Sequence, residues 1–151
     1  MSVSWGVVPF DPADADVMRW LQEKRVAAPA AKGRYPTMDE LFGALTIFDG
    51  HTAHKHHISD NLWEVVVGEP HSETYAHMLG RIEEDGSFDF HFFGSWCRNT
   101  TMIAILKQIA GTCGPLIWYD DYSATPIVVT PDTDIDTATE DWKRRWNASN
   151  P

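Results

Sequence analysis

The segment TYAHMLGRIEEDGSFDFHF, residues 74–92, decides the fold of this chain. The Asp-Gly dipeptide within 83–86 is its strongest hairpin signal. The flanking stretches 74–82 and 88–92 are rich in residues that favour strands. We therefore predict an antiparallel hairpin in which three alternate phenylalanines form one apolar face: Phe88, Phe90 and Phe92.

Helical patterns occur on both sides of this hairpin. Thr37 and Glu40 have the spacing of a capping box, and the apolar residues that follow recur every three or four positions as far as Phe48. An earlier helix is predicted to open at Asp11-Pro12, where the aspartate caps and the proline takes the first helical position. Two later helices are predicted, from Asn99 to Ala110 and from Asp136 to Trp146.

Short strands complete the pattern. The predicted strands outside the hairpin are 5–8, 62–67, 116–119 and 127–129, and the polar stretch 51–60 is predicted as a loop or an irregular strand. Consecutive strands joined by tight turns favour an antiparallel sheet. The 151 residues are therefore predicted to form a single α+β domain, 1–151, with an antiparallel sheet and helices packed mainly on one face.

The acidic composition narrows the classes of function. The chain has 12 Lys+Arg against 22 Asp+Glu, a formal net charge of −10 at pH 7. Such a surface repels phosphates, so we expect no nucleic-acid binding. No apolar run is long enough to span a membrane and no secretory leader is evident, so we expect a cytoplasmic protein without membrane contact. Cys97 and Cys113 flank a predicted helix, which keeps them apart as free thiols.

Histidines are concentrated in one short stretch. His51, His54, His56 and His57 fall within seven residues, and imidazole is the commonest metal ligand. Their spacing matches no zincin helix, and no nearby cysteine completes a tetrahedral set. Two interpretations stay open: a loop that happens to be rich in histidine, or the metal site of a small metal-dependent enzyme.

Other catalytic patterns are weak or missing. Cys97 precedes a predicted helix and follows His91, but no third residue that would orient a nucleophilic pair is identifiable. Carboxylate pairs such as Asp120-Asp121 lie on predicted turns, where acidic residues are common. The chain contains no P-loop, dinucleotide-binding glycine pattern or nucleophile elbow. We therefore expect a protein that is not an enzyme and uses no cofactor.

Two long stretches carry acidic and aromatic residues without any Lys or Arg. Residues 109–141 contain seven acids and residues 57–79 contain four. They are either solvated faces or a surface that attracts a cationic partner, since aromatic anchors within a charged rim are typical of protein-binding sites. An exposed loop around Asp120 is the predicted contact, with one further acid beside Trp63. The predicted partner-binding residues are Trp118, Tyr119, Asp120, Asp121, Tyr122 and Glu64.

Parts of the sequence resemble a known class of proteins. Residues 88–129 contain F-x-F-H-F-F-G, then C-G-P-L-I-W and D-x-x-x-x-P-I-V-V, and residues 5–11 read W-G-V-V-P-F-D. This pattern resembles small bacterial immunity proteins of contact-dependent and polymorphic toxin systems. The resemblance implies a non-catalytic cytosolic protein that neutralises a cognate toxin, and the acidic charge predicts a basic partner. The alternatives are an enzyme using the His51–His57 cluster and a structural subunit or homo-oligomer.

Overall fold

The computed structural model describes residues 5–46, 53–68, 76–94, 99–120 and 125–149. Within these ranges the chain forms an α+β fold, which confirms the predicted class. The elements in chain order are β1 (Trp5–Pro9), α1 (Ala15–Glu23), α2 (Met38–Leu45), β2 (Ala53–Ser59), β3 (Leu62–Val67), β4 (Ala76–Ile82), β5 (Phe88–Gly94), α3 (Asn99–Cys113), β6 (Leu116–Asp120), β7 (Pro126–Val129) and α4 (Ile135–Ser149).

The strands form two antiparallel sheets. The smaller sheet has the order β1-β6-β7, and the larger one has the order β2-β3-β4-β5. Strand β1 lies beside β5, and the inner faces of both sheets contribute to one buried cluster. The sheets therefore share a single hydrophobic core.

Three helices cover the inner side of the sheets. Side chains of α2, α3 and α4 join the core cluster with inward residues of both sheets, such as Val65 and Trp118. Helix α1 lies on the other side of the smaller sheet, where Leu21 packs with Phe10 and Ile117 in a second buried cluster. Most of the described helices thus lie on one face, as the sequence predicts, and α1 is the exception.

The outer side of the larger sheet carries no described helix, and we call it the open face. Its residues alternate along the strands with buried core residues such as Val65 and Met78. None of its apolar members joins either buried cluster. It comprises Leu62, Glu64 and Val66 on β3, His77, Leu79 and Arg81 on β4, Phe92 on β5, and His54 and His56 on β2.

The predicted hairpin is confirmed, but the predicted wall of three phenylalanines is wrong. The turn closes with Gly86 at a φ of 86°, and Ile82 pairs with Phe88. Further along, Phe90 pairs with Gly80 while Phe92 pairs with Leu79, so β5 carries one extra residue, a β-bulge. Beyond the bulge, the order in which side chains of β5 face the core and the outer side is reversed. Phe88 and Phe90 are therefore buried in the core, whereas Phe92 lies on the open face.

The N-terminal caps of α1 and α2 are both predicted from the sequence, and the structure confirms one of them. At α2 the capping box is confirmed, because Thr37 Oγ1 accepts from the Glu40 N–H and the Glu40 carboxylate accepts from the Thr37 N–H. At α1 the predicted cap is wrong. Asp14, rather than Asp11, accepts from the N–H groups of the first turn. Asp11 instead closes a turn by accepting from the Ala13 N–H.

Candidate functional site: an aromatic groove beside α1

Strand β6 points its two aromatic side chains to opposite sides of the smaller sheet. Trp118 faces the core, where its ring stacks on Trp5 with centroids 4.4 Å apart. Tyr119 faces outward, and its ring meets the edge of Trp20 on α1 at 5.2 Å and 87°. Because side chains alternate along a strand, one of these two neighbouring residues faces the core and the other faces the outer side of the sheet.

An apolar groove lies between α1 and the outer side of the smaller sheet. It encloses about 380 Å³ and is lined by Val8, Asp16, Val17, Trp20 and Tyr119. Trp20 and Tyr119 are only half-buried, so part of each aromatic side chain remains accessible to solvent. We call this feature the aromatic groove.

A glycine sets the position of the Tyr119 ring. Gly6 on β1 is the direct cross-strand partner of Tyr119. A Cβ atom placed on Gly6 would lie 2.5 Å from Cζ of Tyr119 and 2.6 Å from its hydroxyl oxygen. The Tyr119 ring therefore lies against the Gly6 backbone. A side chain at position 6 would overlap the ring and displace it.

The rim of the aromatic groove carries an exposed carboxylate. The side chain of Asp16 is 90% exposed and lies 3.4 Å from Arg19, three residues later in α1. Asp14 is also exposed, but its carboxylate is used as the helix cap. The groove thus combines a half-buried aromatic pair with an acidic edge.

Two of the predicted contact residues prove to be interior. Trp118 is 1% exposed and Asp120 is 0% exposed, so the expectation of an exposed loop at Asp120 with Trp118 beside it on the surface is wrong for these two residues. The Asp120 carboxylate accepts from the Thr125 N–H at 3.1 Å, across the end of the β6–β7 connection. Asp120 therefore stabilises the end of the β6–β7 connection. Asp121 and Tyr122 lie outside the described residues.

Glu64, the remaining predicted contact, lies on the open face, on a different sheet from Tyr119. Its carboxylate accepts from Nε2 of His77 at 2.9 Å, and both side chains are about 30% exposed. The His77 ring packs beside Phe92, with centroids 5.5 Å apart. Of the six predicted residues, Tyr119 alone lines the aromatic groove among those described.

The histidine cluster is divided by the strand that carries it. Residues 53–59 form the edge strand β2 rather than a loop, with one register shift between His57 and Ser59. His54 and His56 lie opposite Val66 and Glu64 on the open face, whereas His57 lies opposite Trp63 on the inner side. In the described ranges, no group of three or more His, Cys, Asp or Glu side chains is arranged to hold a metal ion. His51 lies outside those ranges.

A second hollow lies between the hairpin turn and residues 32–37. It encloses about 410 Å³, and its charged residues are paired within the protein. Arg34 donates to both oxygens of Glu40 at 2.7 and 2.8 Å, and Lys32 lies 3.7 Å from Asp11. The hydrogen bonds that Glu40 accepts lower its pKa to about 2, and the Arg34 guanidinium is the main cause. The hollow therefore offers a ligand little charge that is not already engaged.

Cys113, the described member of the predicted free thiols, is a free and buried cysteine. Burial raises the pKa of its thiol, which disfavours the nucleophilic thiolate. Cys97, the predicted nucleophile of a Cys/His pair, lies outside the described residues. No helix in the described part of the chain has the length and apolar character needed to cross a bilayer.

Four of the five residues that line the aromatic groove were not predicted as contacts: Val8, Asp16, Val17 and Trp20. In the sequence, Val17 and Trp20 lie at helical spacing, which favours burial rather than a contact surface. Gly6, which lies beneath the Tyr119 ring, carried no signal because strands contain occasional glycines. Only the cross-strand register of β1 and β6 reveals that Gly6 receives the Tyr119 ring. Comparison of the chain with protein-family models, curated proteins and solved structures finds no match.

Proposed function

We propose that this protein is a non-catalytic immunity protein that binds a basic toxin protein and blocks it, with the aromatic groove as the contact. The observation that carries the proposal is the exposed edge of the Trp20–Tyr119 pair beside Asp16, on a chain with a net charge of −10. The resemblance of the sequence to toxin-immunity proteins supports the same function.

Charge and shape have different roles in this proposal. The acidic chain attracts a basic partner over distances of the Debye length, about 8–10 Å at physiological salt, and so speeds association. The aromatic groove then receives an apolar side chain from the partner, which slows dissociation. Tyr119 and Trp20 suit this role, because an aromatic ring gives a large contact area and loses little conformational entropy.

The test uses the purified chain and the product of the gene adjacent to its own, which the proposal expects to encode a basic toxin. We expect binding by surface kinetics, and survival of cells that express both proteins. Tyr119→Ala is expected to weaken binding by about 1–3 kcal/mol, mainly through faster dissociation. Absence of binding to that gene product, or a Tyr119→Ala dissociation rate equal to that of the parent, contradicts the proposal.

The chain offers a matched control for the charge of the rim. Asp16 and Glu140 are both exposed, at 90% and 75%, and each lies about 3.5 Å from a basic residue three positions later. Glu140 is on α4, on the opposite side of the smaller sheet. Asp16→Lys and Glu140→Lys change the net charge equally, so a greater loss of affinity in Asp16→Lys measures the local contact. Equal losses contradict a contact at the groove.

A further inference from the structure

The edge strand β2 carries two histidines side by side on the open face. His54 and His56 are separated by one residue, so both point to the same side of the strand. Their ring centroids are 6.5 Å apart and the ring planes differ by 21°. Both side chains are exposed, so packing does not resist rotation about their χ angles. Two imidazoles are thus available to one small ligand.

Such a pair has the chemistry of a chelate for a transition-metal cation. A metal of this kind binds imidazole nitrogen at about 2.0–2.1 Å. Because both rings are exposed on the same face of the strand, rotation about their χ angles can turn one nitrogen of each ring toward the space between them. Imidazole prefers Cu²⁺, Ni²⁺ and Zn²⁺ to Mg²⁺ or Ca²⁺, whose preferred ligands are oxygen atoms.

The carboxylate across from His56 is already hydrogen-bonded, so the proposed chelate has two protein ligands. Glu64 lies directly across from His56, but its carboxylate is held by His77 at 2.9 Å. This agrees with the lack of any three-residue metal group among the described side chains. Water would complete the coordination, as is usual for a site open to solvent on one side.

We propose that His54 and His56 form a two-histidine site for Cu²⁺, Ni²⁺ or Zn²⁺ on the edge strand β2. The site is separate from the aromatic groove and does not depend on the proposed function. The acidic chain favours it, since a net charge of −10 concentrates cations near the surface. In this proposal His54 and His56 bind the metal, and His57 does not.

His57 provides the matched control because it occupies the same strand with its ring on the other side. It lies opposite Trp63, with ring centroids 4.8 Å apart, and its Nε2 donates to the Asp60 carbonyl oxygen at 2.5 Å. Replacing it removes one histidine from the strand and leaves the proposed chelate intact.

The experiment is calorimetric titration of the untagged chain with NiCl₂, and with MgCl₂ as the negative probe. We expect Ni²⁺ to bind, Mg²⁺ not to bind, and both His54→Ala and His56→Ala to weaken Ni²⁺ binding at least about tenfold. His57→Ala should leave the affinity within about twofold of the parent. Circular dichroism of each variant establishes that it is folded.

Three results overturn the proposal. One is Ni²⁺ affinity that survives in the His54→Ala, His56→Ala double variant, since the ion is then bound adventitiously elsewhere. Another is a loss in His57→Ala as large as that in His54→Ala. The third is equal affinity for Mg²⁺, which a pair of imidazoles does not provide.

Discussion

The two sides of the smaller sheet use the same residue types for different purposes. On the inner side, four tryptophan rings form a continuous cluster in the order Trp118, Trp5, Trp142 and Trp146, with centroid distances of 4.4, 5.2 and 5.4 Å between successive members. On the outer side, Trp20 and Tyr119 pack against each other at 5.2 Å but remain half-buried. The comparison shows that a count of aromatic residues does not distinguish a core from a contact surface, whereas strand alternation and helix placement do.

The inner cluster contains two buried donors that lower the stability of the fold. Nε1 of Trp118 and Nε1 of Trp142 are buried and have no hydrogen-bond partner in the described part of the chain. A buried donor without a partner costs about 1–3 kcal/mol. Burial of the large rings offsets this, because each indole removes about 150–250 Å² from water.

Truncation of the two neighbours on β6 gives the largest expected difference. Trp118→Ala removes a side chain that is 1% exposed and should lower the free energy of unfolding by about 3–5 kcal/mol. Tyr119→Ala should cost distinctly less, because its ring is already partly in water, while it weakens partner binding. Urea denaturation of both variants measures the contrast. Equal losses of stability would break the assignment of Tyr119 to a surface.

The larger sheet allows the same contrast on one strand. Phe90 is 5% exposed in the core, and Phe92 lies on the open face. Phe90→Ala is expected to cost about 3–5 kcal/mol and Phe92→Ala about 1–2 kcal/mol, measured as denaturation midpoints at constant m-value. A larger loss for Phe92→Ala would show that the β-bulge does not reverse the alternation.

Local signals predicted most of the fold. The Asp-Gly turn, the capping box at Thr37 and the β-branched run 62–67 each depend on neighbours in sequence, and each is confirmed. The bulge in β5 depends on pairing with β4, so alternation alone misassigned Phe92. The cap of α1 was misplaced because Asp11 and Asp14 are both competent caps, and the start of the helix decides between them.

The candidate site was much less predictable. Tyr119 and Asp120 are adjacent, yet one lines the aromatic groove and the other is buried. The sequence marks both as members of an acidic, aromatic stretch. Which of them reaches solvent depends on the pairing of β6 with β1 and β7 and on the packing of α1, and these are contacts between residues far apart in the chain.

The Tyr119 ring of the aromatic groove lies against the backbone of Gly6. Replacing Gly6 therefore tests the outer side of the smaller sheet without changing the inner tryptophan cluster. The new Cβ in Gly6→Ala would overlap the end of the Tyr119 side chain, and the ring should rotate away from Trp20. We expect about 1–2 kcal/mol lower stability, with the loss of partner affinity seen in Tyr119→Ala. The shifts of the Trp20 ring protons report the rotation by NMR. Unchanged shifts would show that the ring does not depend on Gly6.

The start of α2 belongs to neither aromatic region and provides the smallest expected effect. Glu40 is held by Arg34 and by the Thr37 N–H, and its pKa falls from 4.5 to about 2. Because the folded-state value is the lower one, the charge of Glu40 stabilises the fold above pH 4.5, and this contribution is lost between pH 4.5 and about 2.

Glu40→Gln isolates this contribution, since the amide oxygen can still accept from the Thr37 N–H while the charge is removed. The parent should be more stable than the variant by about 1 kcal/mol or less near neutral pH, because Arg34 is largely exposed and solvent screens the pair. That difference should shrink toward zero as the pH falls below 4.5, whereas Trp118→Ala should stay destabilising throughout. Unfolding curves at pH 7, 4 and 3 measure both. A difference that does not vary with pH would mean that Glu40 acts on the helix through its shape alone, as the residues of the tryptophan cluster do.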